Sequence, residues 1–140
     1  MEVKVSWNGP TGMGFRARTG SGHMVNMDVA ADGGGENLAP RPTELVLAGA
    51  GGCSAVDVVL ILKKGREDVR GCEVLLQAER ADTEPKVFTR INFHFVVTGK
   101  NLKHAAVERA IKLSHEKYCS VSIMLGKTAE ITSSFEVLEG

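Results

Sequence analysis

Apolar and polar residues alternate at the start of the chain, with Val3, Val5 and Trp7 set against Glu2, Lys4 and Ser6. A period of two predicts a half-buried strand. Asn8-Gly9-Pro10-Thr11-Gly12 ends it by turn chemistry. Gly14 to Thr19 and His23 to Val29 read as two further strands, with Gly20-Ser21-Gly22 between them as a hairpin loop. Asp32-Gly33-Gly34-Gly35-Glu36-Asn37 reads as a surface loop. No lysine follows it at P-loop spacing, and Gly12-Met13-Gly14 lacks the next glycine of a dinucleotide fingerprint. Neither is therefore expected to cradle phosphate.

The pattern then changes. Pro42-Thr43-Glu44 opens a helix, with proline in the first turn and an acid favoured by the helix dipole. It is expected to run to about Lys64. Its body, Leu45 to Leu62, is apolar on nearly every side, which predicts burial all round. Gly49, Gly51 and Gly52 each cost about 1 kcal/mol of helix stability against alanine, so close approach of another backbone is their natural use. Ala48, Gly52 and Val56 form one small-residue row, and Gly49 and Cys53 another. Such rows suit packing on the chain's own sheet or on the same helix of a second subunit.

Gly65 and Arg66-Glu67-Asp68 end this helix. Cys72 to Arg80 reads as a strand. Ala81 to Pro85 is a turn. Val87 to Thr98 is the clearest strand, with Phe88, Arg90, Asn92 and His94 alternating with Thr89, Ile91, Phe93 and Phe95. From Lys100 on, Leu102, Ala105, Ala106, Ala110, Ile111 and Leu113 recur at helical spacing. Tyr118-Cys119-Ser120 interrupts that helix, and Val121 to Leu125 forms a short second one stopped by Gly126. Thr128 to Leu138 closes the chain as a strand. The order βββ–α–ββ–α–α–β predicts an α+β fold. With no repeat and no low-complexity tract, residues 1–140 are expected to form a single domain.

Composition adds mainly exclusions. Apolar residues are 43% and charged residues 24% of the 140, an ordinary globular balance. The 17 basic and 17 acidic side chains cancel, so neither nucleic acid nor a membrane surface is an expected partner. No apolar run approaches the roughly 20 residues of a membrane helix without a charge or glycine break. The first residues carry no secretory pattern, so the three cysteines read as thiols of a cytoplasmic protein.

Cys53 lies in the apolar helix and Cys119 at a helix break, where the dipole of a following helix would favour its thiolate. Both also suit small core positions. Their long separation excludes a CxxC motif. A metal set of Cys53, Cys119 and His115 has no supporting spacing, and neither metal nor cofactor is expected. Asp57 follows Cys53 by one turn on the same face, where a carboxylate would raise the thiol pKa. A hydroxyl or backbone partner for Asp57 is the alternative role. Glu44 lies nine residues before Cys53, on the opposite side of a straight helix. It could act on the thiol through a bend or across a subunit boundary, or simply complement the dipole. His115 precedes Cys119 by four and could polarise it if the helix ran through. Cys72, His23 and His94 read as strand residues.

Three stretches together resemble the OsmC/Ohr superfamily, nearest its small OsmC-like branch: Arg41 to Ala48, Gly51 to Val59, and Lys117 to Ser122. The resemblance covers the whole chain. It implies an intertwined homodimer, with two central helices wrapped by antiparallel sheets built from both chains. It also implies a thiol-dependent peroxidase for organic hydroperoxides, serving oxidative or osmotic stress defence. In that scheme Cys53 is peroxidatic, Cys119 resolves it as a disulfide, and an external dithiol reductant resets the pair. The peroxidase branches place a helper glutamate directly after the proline. Here Thr43 holds that place and Glu44 follows. Their catalytic arginine falls near Met13, while Arg16 and Arg18, which share one strand face, stand further along. A second function fits the same resemblance: a binding protein for a small apolar or electrophilic ligand. A purely structural dimer is a third.

Overall fold

A computed structural model describes all of residues 1–140. Two compact units make up the chain, Met1–Leu47 and Ala48–Gly140.

The first unit is an antiparallel meander of β1 (Val3–Trp7), β2 (Phe15–Thr19) and β3 (Met24–Met27). The third strand is shorter than its sequence predicts, because Asp28 turns the chain. Its buried carboxylate accepts from the N–H groups of Val29 (2.7 Å), Leu38 (3.1 Å) and Glu36 (3.2 Å). These donors fold the glycine-rich loop back onto Asp28, and Ala31–Gly33 closes a 3-10 turn within it. Gly35 permits that return, since a Cβ there would strike the Val29 backbone.

Helix α1 runs Pro42–Lys64, the range expected from Pro42 and Gly65. By length and composition it is long and apolar enough to cross a membrane, despite the Asp57 and the glycines within it. It is not buried all round in this chain. Ala50, Ser54, Val58 and Leu62 form one buried row, with Gly51 beside it. Ala48, Gly52, Val56 and Leu60 form a second row that is exposed. The side that meets Leu76 of the second unit's sheet is covered, and the opposite apolar side is open. Gly51 gives close approach to the second sheet, where a Cβ would meet the Leu76 side chain.

That sheet has the order β4 (Asp68–Arg80), β5 (Phe88–Lys100), β6 (Glu130–Glu139). β4 and β5 form a long antiparallel hairpin in which Leu76 opposes Phe93. The alternation of β5 emerges as expected, with Ile91, Phe93, Phe95 and Val97 fully buried. β6 corrects the antiparallel expectation: it runs parallel to β5, with Asn92 beside Thr132. A parallel partner requires a crossover. Helix α2 (His104–Leu113), a π-helical turn (Ser114–Tyr118) and helix α3 (Ser120–Leu125) supply it. Val107, Ala110 and Ile111 are the buried face of α2.

Candidate thiol site

The site is assembled in the second unit, where α1 meets the break between α2 and α3. The α2 pattern does not continue straight into α3. Five residues, Ser114 to Tyr118, widen into a π turn, and Cys119 leaves it in extended conformation (φ −78°, ψ 96°). Cys119 is thereby the N-cap of α3, and its sulfur accepts from the Ser122 N–H at 3.3 Å. π turns widen a helix locally and are frequent at functional positions.

Cys53 projects from the middle of α1, partly exposed, while Cys119 is fully buried. The two sulfurs and a carboxylate oxygen of Asp57 all lie within 4.8 Å of one another. Asp57 reaches the site because it stands one helical turn after Cys53. Ser114 Oγ donates to Asp57 Oδ2 at 3.0 Å and is 2.8 Å from Ser54 Oγ. Ser114 has a single hydroxyl proton, committed to the carboxylate, so Ser54 is the donor between the serines. The result is a one-way chain, Ser54 to Ser114 to Asp57.

The electrostatics oppose easy ionisation of Cys119. Burial pushes its thiol above the ordinary range, the Ser122 donors pull it down, and the neighbouring Cys53 raises it again. His115 does not serve the thiol. The π turn swings it to Ser122 Oγ, 3.2 Å from Nδ1, and it packs edge-on against Phe93 with centroids 4.7 Å apart. Its Nε2 is buried without a partner. Burial lowers the His115 pKa, and the Asp57 charge opposes that. Cys72 stands on β4 opposite Val97, outside the group, its thiol raised by burial.

The remaining sequence candidates belong to the first unit. Glu44 Oε1 accepts from the Arg41 N–H at 2.8 Å, the back-reaching arm of a helix capping box. Arg16 Nη1 donates to Asn8 Oδ1 at 2.7 Å. Arg16 and Arg18 share a face of the first sheet with Lys4, Ser6 and Met24. Ser54, Ser114 and Ser122 are the site members that sequence reasoning did not single out. Ser54 was signalled by being the one hydroxyl between Leu45 and Leu62.

The α+β fold, with two three-stranded sheets and a long apolar helix, matches that of solved OsmC-like proteins. The family model described as OsmC-like protein matches residues 33–134, and this chain belongs to that family. Protein YhfA of Escherichia coli strain K12 is 52% identical over 138 residues, covering 99% of this chain and 98% of its own. A hypothetical protein from Aquifex aeolicus VF5 superposes with a TM-score of 0.85 at 32% identity, covering 99% of this chain and 96% of its own. The organic hydroperoxide resistance protein OhrB of Bacillus subtilis shares the fold, with a TM-score of 0.65 at 18% identity and coverage of 97% and 98%.

Proposed function

We propose that the protein is a thiol-dependent peroxidase that reduces organic hydroperoxides. One observation carries this reading: a partly exposed Cys53 thiol and a fully buried Cys119 thiol lie within 4.8 Å of each other. Exposure suits the residue that meets peroxide, and burial suits the one that waits for it. The Cys53 thiolate attacks the distal peroxide oxygen. The S–O bond forms, the O–O bond breaks, and the alkoxide leaves as an alcohol after taking a proton. Cys119 then attacks the Cys53 sulfenic acid, giving a disulfide and water. A dithiol reductant of the cytoplasm restores both thiols by exchange.

An open groove of about 500 Å³ borders Asp57 and is lined by Leu60, Ile61, Leu113 and Tyr118, with Lys64 and Arg109 among its charged residues. Its apolar walls suit an organic rather than an inorganic peroxide. OhrB, the fold neighbour, is a hydroperoxide resistance protein by name. Arg16, Arg18 and Glu44 are the supporting residues that the family resemblance implies; in this chain Arg16 donates to Asn8 and Glu44 accepts from the Arg41 N–H. The working form is a homodimer, in which the exposed row Ala48, Gly52 and Val56 is covered by its counterpart.

A carboxylate, Asp57, beside the two thiols also suits a second reading, a ligand-binding protein with the same pocket and little peroxide chemistry. Stopped-flow mixing of reduced protein with cumene hydroperoxide separates the two. A peroxidase loses thiols orders of magnitude faster than free cysteine does. Loss no faster than free cysteine leaves the binding reading.

A further inference from the structure

The group at the site is also a set of metal ligands: Cys53 Sγ, Cys119 Sγ and a carboxylate oxygen of Asp57, within 4.8 Å of one another. We propose that the reduced protein binds one thiophilic divalent cation of the Zn²⁺ type on these three residues, and that disulfide formation between Cys53 and Cys119 abolishes the site. The inference stands apart from peroxide chemistry, since it needs the thiols and the carboxylate but no turnover.

The geometry fits. Zn–S bonds of about 2.3 Å and Zn–O bonds of about 2.0–2.2 Å at tetrahedral angles separate ligand atoms by roughly 3.5–3.8 Å. The three atoms therefore need to draw together by at most about an ångström. Two of them are set at i and i+4 on one long helix, a rigid arrangement that zinc sites use for paired ligands. The third, Cys119, caps α3 beside them and supplies the remaining movement. Three protein ligands leave a fourth position for water.

The outer shell is already built. Metal ligands need partners that orient them and tune their basicity. Ser114 holds Asp57 Oδ2, leaving Oδ1 free to coordinate, and Ser54 holds Ser114. The Ser122 N–H points at Cys119 Sγ, which supports a sulfur carrying negative charge. The cation displaces the two thiol protons to solvent, and two thiolates and one carboxylate take its two positive charges. It also removes the difficulty of three acidic groups converging on one partly buried place. Oxidation competes directly. When diamide takes two electrons and two protons from the thiols, the sulfurs close to about 2.05 Å and can no longer chelate.

Cobalt titration of the reduced, chelator-treated full chain tests the proposal. One Co²⁺ per chain is expected, with thiolate-to-cobalt charge transfer and tetrahedral d–d bands, displaced by one Zn²⁺. Diamide-oxidised protein is expected to give neither band, and Cys72→Ser to behave as the unaltered chain. Asp57→Asn is expected to weaken binding at least tenfold, and Ser114→Ala by about 10–100-fold, as for other outer-shell partners. An octahedral spectrum without charge transfer, equal binding by oxidised protein, or loss in Cys72→Ser would overturn it. So would full affinity in Asp57→Asn. The comparison of reduced with oxidised unaltered chain does not depend on any variant folding. It also reads the same if cumene hydroperoxide proves to be no substrate.

Discussion

Ser114 Oγ hydrogen-bonds Asp57 Oδ2 at 3.0 Å, tying the π turn to the middle of the long helix. Ser114 is fully buried and has Ser54 behind it. Ser114→Ala therefore removes the donor to a carboxylate and the acceptor of a buried hydroxyl at once. Leaving such groups unsatisfied costs about 1–3 kcal/mol. Urea denaturation of reduced protein is expected to show a loss in that range. Ser54→Ala removes only the outer end of the chain and is expected to cost less. Equal losses would mean that Asp57 finds another donor.

Much of this architecture is legible in the sequence, and the exceptions share a cause. The bounds of α1 follow from Pro42 and Gly65, and the buried face of β5 follows from strict alternation. Both are local signals. Which side of α1 is covered is not local: Val56 and Val58 are alike in the sequence, yet one is 58% exposed and the other buried. The direction of β6 depends on how the crossover packs, so alternation alone leaves it unread. At the site, helical spacing places Asp57 on the Cys53 face. The serines escape notice because a hydroxyl has no periodicity, and its partner stands about 60 residues away. The π turn escapes because it adds no residue type of its own. It alone redirects His115 from Cys119 to Ser122.

His115 gives the site a pH dependence whose sign follows from its burial. Its folded pKa lies below the unfolded value of about 6.5, so the folded state binds the proton less readily. Well above pH 6.5 the residue is neutral in both states and costs nothing. As pH falls from there toward the folded pKa, the unfolded state protonates first and stability is lost. Urea midpoints measured from pH 7.5 to 5 are expected to decline. His115→Gln is expected to flatten that decline while keeping a side-chain donor toward Ser122. An unchanged slope would assign the decline to other groups.

Gly52 tests the proposed pairing of long helices. No atom of its own chain, apart from the helix itself and its chain neighbours, lies within 4 Å of where a Cβ would sit. In an isolated chain, Gly52→Ala would gain about 1 kcal/mol of helix propensity. If the exposed row meets a second copy, the added methyl instead separates the helices. The variant is expected to shift sedimentation toward a 15.0 kDa monomer as concentration falls. A dimer as tight as the original, with higher thermal stability, would remove this row from the interface.

The disulfide gives the sharpest test of the roles proposed for the cysteines. Cys53 and Cys119 of one chain are expected to bond after one equivalent of cumene hydroperoxide, with Cys72 left as a thiol. The sulfurs are already neighbours, and a disulfide needs them to close to about 2.05 Å. The required movement falls on Cys119, because Cys53 is anchored within a 23-residue helix. Cys119 sits between a π turn and a six-residue helix, with one Ser122 N–H bond to its sulfur to give up. Cys72 faces none of this: it is held in the β4–β5 ladder opposite Val97. Peptide mapping under non-reducing conditions should recover the Cys53–Cys119 pair. In Cys119→Ser, the Cys53 sulfenic acid should persist long enough to be trapped by dimedone. A Cys72 bridge in the unaltered protein, or a sulfenic acid that persists there too, would deny Cys119 the resolving role.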